Sequence, residues 1–222
     1  MIPKPKPLQL VMYRDVLCAW CYVAEHRLAA LCAELGPLVR LSHRPFALRL
    51  HDVAPTPRET AAATRELSRA RREPEAQNLQ PGLWTGGDPP RSSLPPLLAL
   101  AAARAQGPEA HRALAQALRT AALEQGINVT RSDVLYELAG RAGLRMGRFA
   151  ASFTAPATRH FVLGIHANAS ARGISRVPTL VVAGRWKIEG LREPSEYKDL
   201  ILGCFSRAAK GRDGGDDDQR VH

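Results

Sequence analysis

The period of the hydrophobic positions changes twice within the first fifty residues. Residues 8–16, LQLVMYRDV, are apolar-rich and β-prone, and they read as a buried strand. After the first cysteine, Val23, Leu28, Leu31 and Leu35 recur at helical spacing up to Gly36-Pro37, a stop signal. Residues 38–48, LVRLSHRPFAL, then read as a second strand. The pattern predicts a strand–helix–strand unit with Cys18 and Cys21 at its first turn.

From about residue 52 to 158 the character changes. Residues 51–75 are charged, broken by proline, and helical in pattern, and residues 78–96 are a loop marked by Gly86-Gly87 and Pro89-Pro90. Residues 94–106 and 109–125 are Ala/Leu-rich and read as paired helices, closed by Gly107-Pro108 and Gly126. Thr130-Arg131-Ser132-Asp133 has the form of a helix N-cap with an acidic third position, opening a helix to about Gly143. This middle section reads as all-helical. Beyond it come a helix over 157–172, two short strands within 177–190 joined at Ala183-Gly184, and a helix over 193–205. The tail, 211–222, has glycine and aspartate but no apolar cluster, and is expected to be disordered.

Composition narrows the class. With 222 residues and 45% apolar content, the chain can form one large domain or a domain carrying a sizeable insert. No apolar run approaches the roughly 18–20 residues of a membrane span. The first ten residues, MIPKPKPLQL, lack the apolar core of a secretory signal, so the expected location is cytoplasmic. The formal charge of +10 invites a nucleic-acid partner, but the arginines are dispersed. The densest run, RELSRARRE at 65–73, is interrupted by glutamates and has no aromatic residue for base stacking, so it reads as a solvated helix face. Asn128 and Asn168 begin Asn-x-Ser/Thr sequons, which have no meaning without secretion.

Four cysteines, at 18, 21, 32 and 204, are too few for a stapled scaffold of this length. In a reducing compartment a lone Cys-x-x-Cys is catalytic or metal-binding rather than structural. A structural zinc needs four ligands; Cys18 and Cys21 supply two, and the histidines at 26, 43, 51, 111, 160, 166 and 222 show no metal spacing. No metal is expected. Cys32 and Cys204 read as ordinary packed thiols, and Trp84 and Trp186 as packing residues.

The order of these features, carried by DVLCAWCYVAEHRL (15–28), RPFAL (44–48), EQGINVTRSDVLYELAGRAGL (124–144), ARGISRVPTLVV (171–182) and IEGLREPSEY (188–197), resembles the DsbA-type thioredoxin-fold oxidoreductases. Within them it is similar to the FrnE-like, 2-hydroxychromene-2-carboxylate isomerase-related branch. The resemblance spans roughly residues 8–206. It implies an α/β thioredoxin-like fold with a helical domain inserted in its core: residues 1–51 and 159–210 as the thioredoxin-like domain, 52–158 as the insertion. It also implies a thiol–disulfide oxidoreductase. The sequence departs from the pattern at Ala19, where proline is usual, at Ala24, where glycine is common, and at Arg176, where glycine often precedes Val-Pro.

Disulfide exchange needs a thiolate, which a helix N-terminus favours. Cys18, at the helix start, is the expected nucleophile. Cys21, one turn on, is the expected resolving thiol. Trp20 brings an indole N–H and apolar surface but no charge, which predicts a moderate oxidant or reductant, weaker than the strongest periplasmic oxidants. Ala19, unlike proline, keeps an N–H that is expected to point at the Cys18 sulfur, and Asp15 is expected to cap the helix or relay a proton; both are assigned tuning roles. The resemblance makes Val177-Pro178-Thr179 the cis-proline loop facing the cysteines. With Trp20 these residues are the expected substrate-binding set, the Val177 backbone pairing with an extended segment. The expected partner is a thiol or disulfide, protein or small molecule, with glutathione or another thiol as redox partner and no bound cofactor. Neither nucleic acid nor membrane is expected as a partner, and the oligomeric state is left open. A glutathione-dependent isomerase or transferase of small aromatic or unsaturated substrates is the alternative. A peptide-binding module with a vestigial site is a third reading.

Overall fold

The computed structural model describes residues 7–210. The expectation of a disordered tail at 211–222 therefore lies outside the described residues.

Strand β1 (Leu8–Arg14) buries Leu8, Leu10 and Met12 at alternate positions, so one face is committed to the core. It leads through a tight turn into helix α1 (Ala19–Leu35), which ends at Gly36 with φ +54°. Strand β2 (Val39–Pro45) runs parallel to β1, with Leu8 opposite Val39 and Arg14 opposite Pro45.

Seven helices separate β2 from the next strand: α2 (Pro57–Ala70), the short α3 (Gly82–Thr85), α4 (Leu94–Arg104), α5 (Pro108–Arg119), α6 (Ser132–Arg141), α7 (Met146–Thr154) and α8 (Pro156–Ala171). Four differ from the sequence expectation. Helix α3 interrupts the stretch 78–96 that reads as a loop, because Leu83 and Trp84 are buried in the core of the inserted helices. Helix α5 does not continue regularly to 125; it passes into a π-helical turn, Thr120–Glu124. Thr130 does not cap α6. Its hydroxyl donates to the Asn128 side chain, and Asp133 instead pairs with Arg131 across 2.6 Å. Helix α7 was not marked by the apolar pattern; its Phe149 and Phe153 stack at 5.5 Å and meet Tyr136 edge-on.

Strands β3 (Thr179–Val182) and β4 (Trp186–Glu189) close the sheet in the order β2-β1-β3-β4, with β3 antiparallel to both neighbours. They are joined through Ala183 and Gly184, both at positive φ, as the right-handed twist of a hairpin favours. Helix α9 (Pro194–Lys210) packs on α1.

The sheet has a core on each face. Leu10, Met12, Leu28, Leu180, Tyr197 and Ile201 join β1, β3, α1 and α9. Tyr13, Phe46, Ala169, Ile174 and Val181 join the sheet to α8. The third and largest cluster is that of the inserted helices, and it includes Val16, Leu17, Ala19, Tyr22 and Val23. The first turn of α1 is thus packed into the helical insertion, which fixes the cysteine pair against both parts of the fold. The architecture is a thioredoxin-like fold with a helical insertion.

Candidate active site

Cys18 is itself the N-cap of α1. Its backbone is extended (φ −92°, ψ 110°), and its sulfur accepts the Cys21 N–H at 3.3 Å. This corrects the role given to Ala19. A cap side chain reaches the second or third N–H of a helix, not the first, so Cys21 supplies the sulfur's donor and Ala19 does not. The Cys18 thiol also donates to the Val177 carbonyl at 3.8 Å, 159 residues away. The Val177–Pro178 peptide is cis.

Cys21 is 2% exposed. Burial, followed by the hydrogen bond and charge of Cys18, pushes its thiol well above the ordinary range. Both thiols are free, as are Cys32 and Cys204, and burial raises the latter two as well. Among the described residues no group of three or more potential metal ligands occurs.

Asp15 does not cap α1, because Cys18 holds that position. Instead one carboxylate oxygen accepts the Leu17 N–H at 2.9 Å and the other accepts the Leu48 N–H at 2.6 Å. Asp15 thereby ties the Cys18 turn to the segment after β2. Burial pushes its carboxyl up, against the hydrogen bonds from Ser93, Leu17 and Leu48 that favour the charge. Ser93 extends the tie: its hydroxyl accepts the Arg49 N–H and its own N–H donates to the Arg49 carbonyl at 2.7 Å.

A pocket of about 260 Å³ opens over Cys18. Leu17, Ala19, Trp20 and Val177 form its floor and one wall, and Leu48 and Arg49 another. The roof comes from the insertion: Glu59, Ala63, Glu66 and Leu67 of α2, and Trp84 of α3. The Trp20 indole donates to Glu66 at 2.8 Å, joining floor to roof. Pro178 and Thr179 do not line this pocket. Thr179 is fully buried in β3, and its hydroxyl donates to the Arg176 carbonyl at 2.8 Å; its side chain supports the turn from behind, a correction to its assignment as a substrate contact. Pro178 is buried, and its carbonyl accepts the Gly190 N–H.

The DSBA-like thioredoxin domain family matches residues 9–201. The chain belongs to that family. Among its relatives, the ClpXP adapter protein SpxH of Shouchella clausii is 27% identical over 193 residues, which cover 81% of this chain and 59% of the adapter. The chain thus spans about three fifths of that relative's length. Two solved structures share the fold. A Nitrosomonas europaea protein assigned as a disulfide isomerase superposes with a TM-score of 0.79 at 17% identity, covering 90% of this chain and 98% of that one. The cytosolic disulfide reductase DsbM of Pseudomonas aeruginosa, solved with glutathione, gives 0.65 at 20%, covering 90% and 100%.

In this DSBA-like chain the sequence did not mark a buried ion network behind the cysteines. Arg14 of β1 pairs with Glu25 of α1, and Arg119 of α5 pairs with the same carboxylate. Burial lowers both guanidinium groups to about 10, and Cys21 and Asp15 act in the opposite sense on Arg14. A signal existed: Arg14 continues the buried Leu8-Leu10-Met12 alternation, and Glu25 lies among Val23, Ala24 and Leu28. The roof residues Glu59, Glu66 and Leu67 left no such trace, since their proximity to Cys18 depends on tertiary packing. His26, set aside in the sequence, is exposed, and its ring rests on Tyr22 at 4.4 Å.

Proposed function

We propose that the chain is a thiol–disulfide oxidoreductase in which Cys18 attacks and Cys21 resolves. The observation that carries this reading is the Cys18 sulfur. It caps a helix, accepts an N–H at 3.3 Å, and lies at the base of a pocket beside the carbonyl preceding Pro178. The Cys21 N–H donated to that sulfur would stabilise negative charge on it during exchange.

In the proposed reduction, the Cys18 thiolate attacks one sulfur of the substrate disulfide. The substrate S–S bond breaks, a mixed disulfide forms, and one substrate thiolate leaves. Cys21 then loses its proton and attacks the Cys18 sulfur, releasing the second thiolate and leaving Cys18–Cys21 oxidised by two electrons. The burial that keeps Cys21 protonated requires a base at that moment. Asp15, buried and with a raised carboxyl, is suited to take the proton. Two equivalents of a thiol such as glutathione would return the pair to its reduced form, and the proposed setting is the cytoplasm. Trp20 and the Val177 backbone are the proposed substrate contacts, with Pro178 and Thr179 shaping the loop from behind. The insertion, taken as about 52–158, is proposed to set substrate choice through its roof.

The size and apolar walls of the pocket favour a second reading, a glutathione-dependent isomerase or transferase of small unsaturated substrates. An insulin-reduction assay separates the readings. Under the proposal, Cys18→Ser abolishes activity and Cys21→Ser reduces it by at least about a hundredfold. Disulfide exchange that persists in Cys18→Ser excludes this mechanism. Isomerisation that survives Cys21→Ser supports the second reading, and binding without turnover in the wild type supports a purely adaptor-like role.

A further inference from the structure

A second cavity, sharing no lining residue with the Cys18 pocket, lies where the ends of β1 and β2 meet α4, α5 and α8. Five basic groups face it: Arg14, His43, Arg44, Arg104 and His111. No carboxylate lines it. Arg14 has its partner in Glu25, outside the lining, whereas Arg44 and Arg104 make no ion pair with a described residue. The His43 Nε2 atom is buried and has no hydrogen-bond partner. His111 is already engaged, its Nδ1 bonded to the Leu100 carbonyl at 2.9 Å, which fixes the ring against α4.

Like charges gathered around an unsatisfied buried nitrogen are costly unless something of opposite sign joins them. The imidazole of His43 responds accordingly: burial first, then Arg14 and His111, lower it to about 3. A neutral ring can still place its proton on Nε2 and donate. The remaining walls, Leu97, Leu100, Phe161 and Ile165, are apolar, and Phe161 is 47% exposed at the mouth. A free inorganic anion would lose its water to hydrocarbon on those walls. The cavity's volume is about 30 Å³, against the roughly 10–15 Å³ that one water needs on the same measure, which admits one small polar group such as a carboxylate.

We propose that this cavity binds an organic monocarboxylate: the carboxylate sits at the base against His43 Nε2 and Arg14, with Arg44 and Arg104 guiding it in, and a short apolar body rests on Leu97, Leu100 and Phe161. Charge complementarity and the orphaned His43 Nε2 define this site, independently of the redox chemistry at Cys18.

The test uses benzoate and its neutral isostere benzamide at equal ionic strength, followed by backbone and indole NMR shifts of the reduced full chain. Benzoate is expected to move the signals of Arg44, Leu100 and Ile165 without moving the Trp20 indole. Benzamide is expected to bind at least tenfold more weakly. Arg104→Gln, at an exposed position, is expected to weaken benzoate at least threefold while leaving the unliganded melting temperature unchanged. Equal binding of the two compounds would reduce the site to an apolar hole. Equal shifts with chloride or phosphate would make it a site for free inorganic anions. Shifts centred on Trp20 would assign the ligand to the Cys18 pocket. An unaffected Arg104→Gln would remove the guiding cation. Any of these four results overturns the proposal.

Discussion

The Cys18 sulfur occupies the place that an oxygen holds in most helix caps, accepting the N–H three residues on. The residue after it, Ala19, is the first helical position, where a backbone N–H has no helical partner to lose. Cys18 already has the extended backbone that a following proline demands. Ala19→Pro should therefore raise stability by about 0.5–1 kcal/mol through the unfolded chain. It should leave the iodoacetamide alkylation rate of Cys18 unchanged, because the sulfur's donor is untouched. A markedly slower alkylation would show that the Ala19 N–H does serve the sulfur. At this scale the sequence was legible where chemistry is local: the Cys-x-x-Cys pair and its helix start follow from the fourteen consecutive residues 15–28. The capping expected of Asp15 fails because Cys18 holds the cap, and the partners Asp15 has instead, the Leu48 N–H and Ser93, belong to other segments. No spacing near Asp15 could have indicated them.

Two element contacts hold the roof over the site. The first is the approach of α3 to the π turn that ends α5. Gly126 has φ +70°, and a Cβ there would meet Gly82 Cα at 2.9 Å and Gly82 C at 3.0 Å, both backbone atoms. Gly126→Ala combines this clash with left-handed strain and should cost at least about 2 kcal/mol, measured as a lowered urea midpoint. An unchanged midpoint would mean that α3, with Trp84, is not held by this contact. The second contact is Arg27 of α1, 4% exposed, which donates to Glu73 at 2.5 Å and to Glu75 at 3.0 Å, and also to the Arg192 carbonyl. It links α1 to the segment after α2 and to the residues just before α9. Burial works against the Glu75 carboxylate, but the hydrogen bond and charge of Arg27 outweigh it and hold it below the usual range. A depressed native carboxyl stabilises the fold above its unfolded value of about 4.3, and that share is lost as pH falls through the native value. Glu75→Gln should thus be less stable than wild type at pH 7 by about 1 kcal/mol, with the gap closing in acid below pH about 4. A gap that persists at pH 3 would assign the loss to packing. Strong periodicity made β1, α1 and the β3–β4 hairpin readable, whereas α7 escaped because its aromatic residues pack on Tyr136 of another helix.

Across the whole molecule the charge of +10 is not displayed as one surface. Arg14, Arg27 and Arg119 are spent in ion pairs that join the sheet, α1 and the insertion. The RELSRARRE stretch proves to be two-sided: Leu67 and Ala70 are buried, Arg65, Arg69 and Arg71 are exposed, and Glu66 meets Trp20 at the pocket. No helix among the described residues is long and apolar enough to cross a membrane. The alternation of strand, helix, strand, helical run and hairpin was legible because each segment keeps its own period, and the resemblance to the DsbA-type order is what made it a thioredoxin-like fold. What lay beyond reach was how the insertion folds back, since Glu66 is 46 residues from Trp20 and Val177 is 159 from Cys18. That return closes the pocket and is the step from fold to function. The most direct measurement is intact-protein and peptide mass spectrometry of Cys21→Ser and Cys18→Ser after brief exposure to a disulfide substrate and acid quench. A stable adduct is expected on Cys18 in the first variant and none on Cys21 in the second; an adduct on Cys21, or no adduct in either, would rule out Cys18 as the attacking thiol.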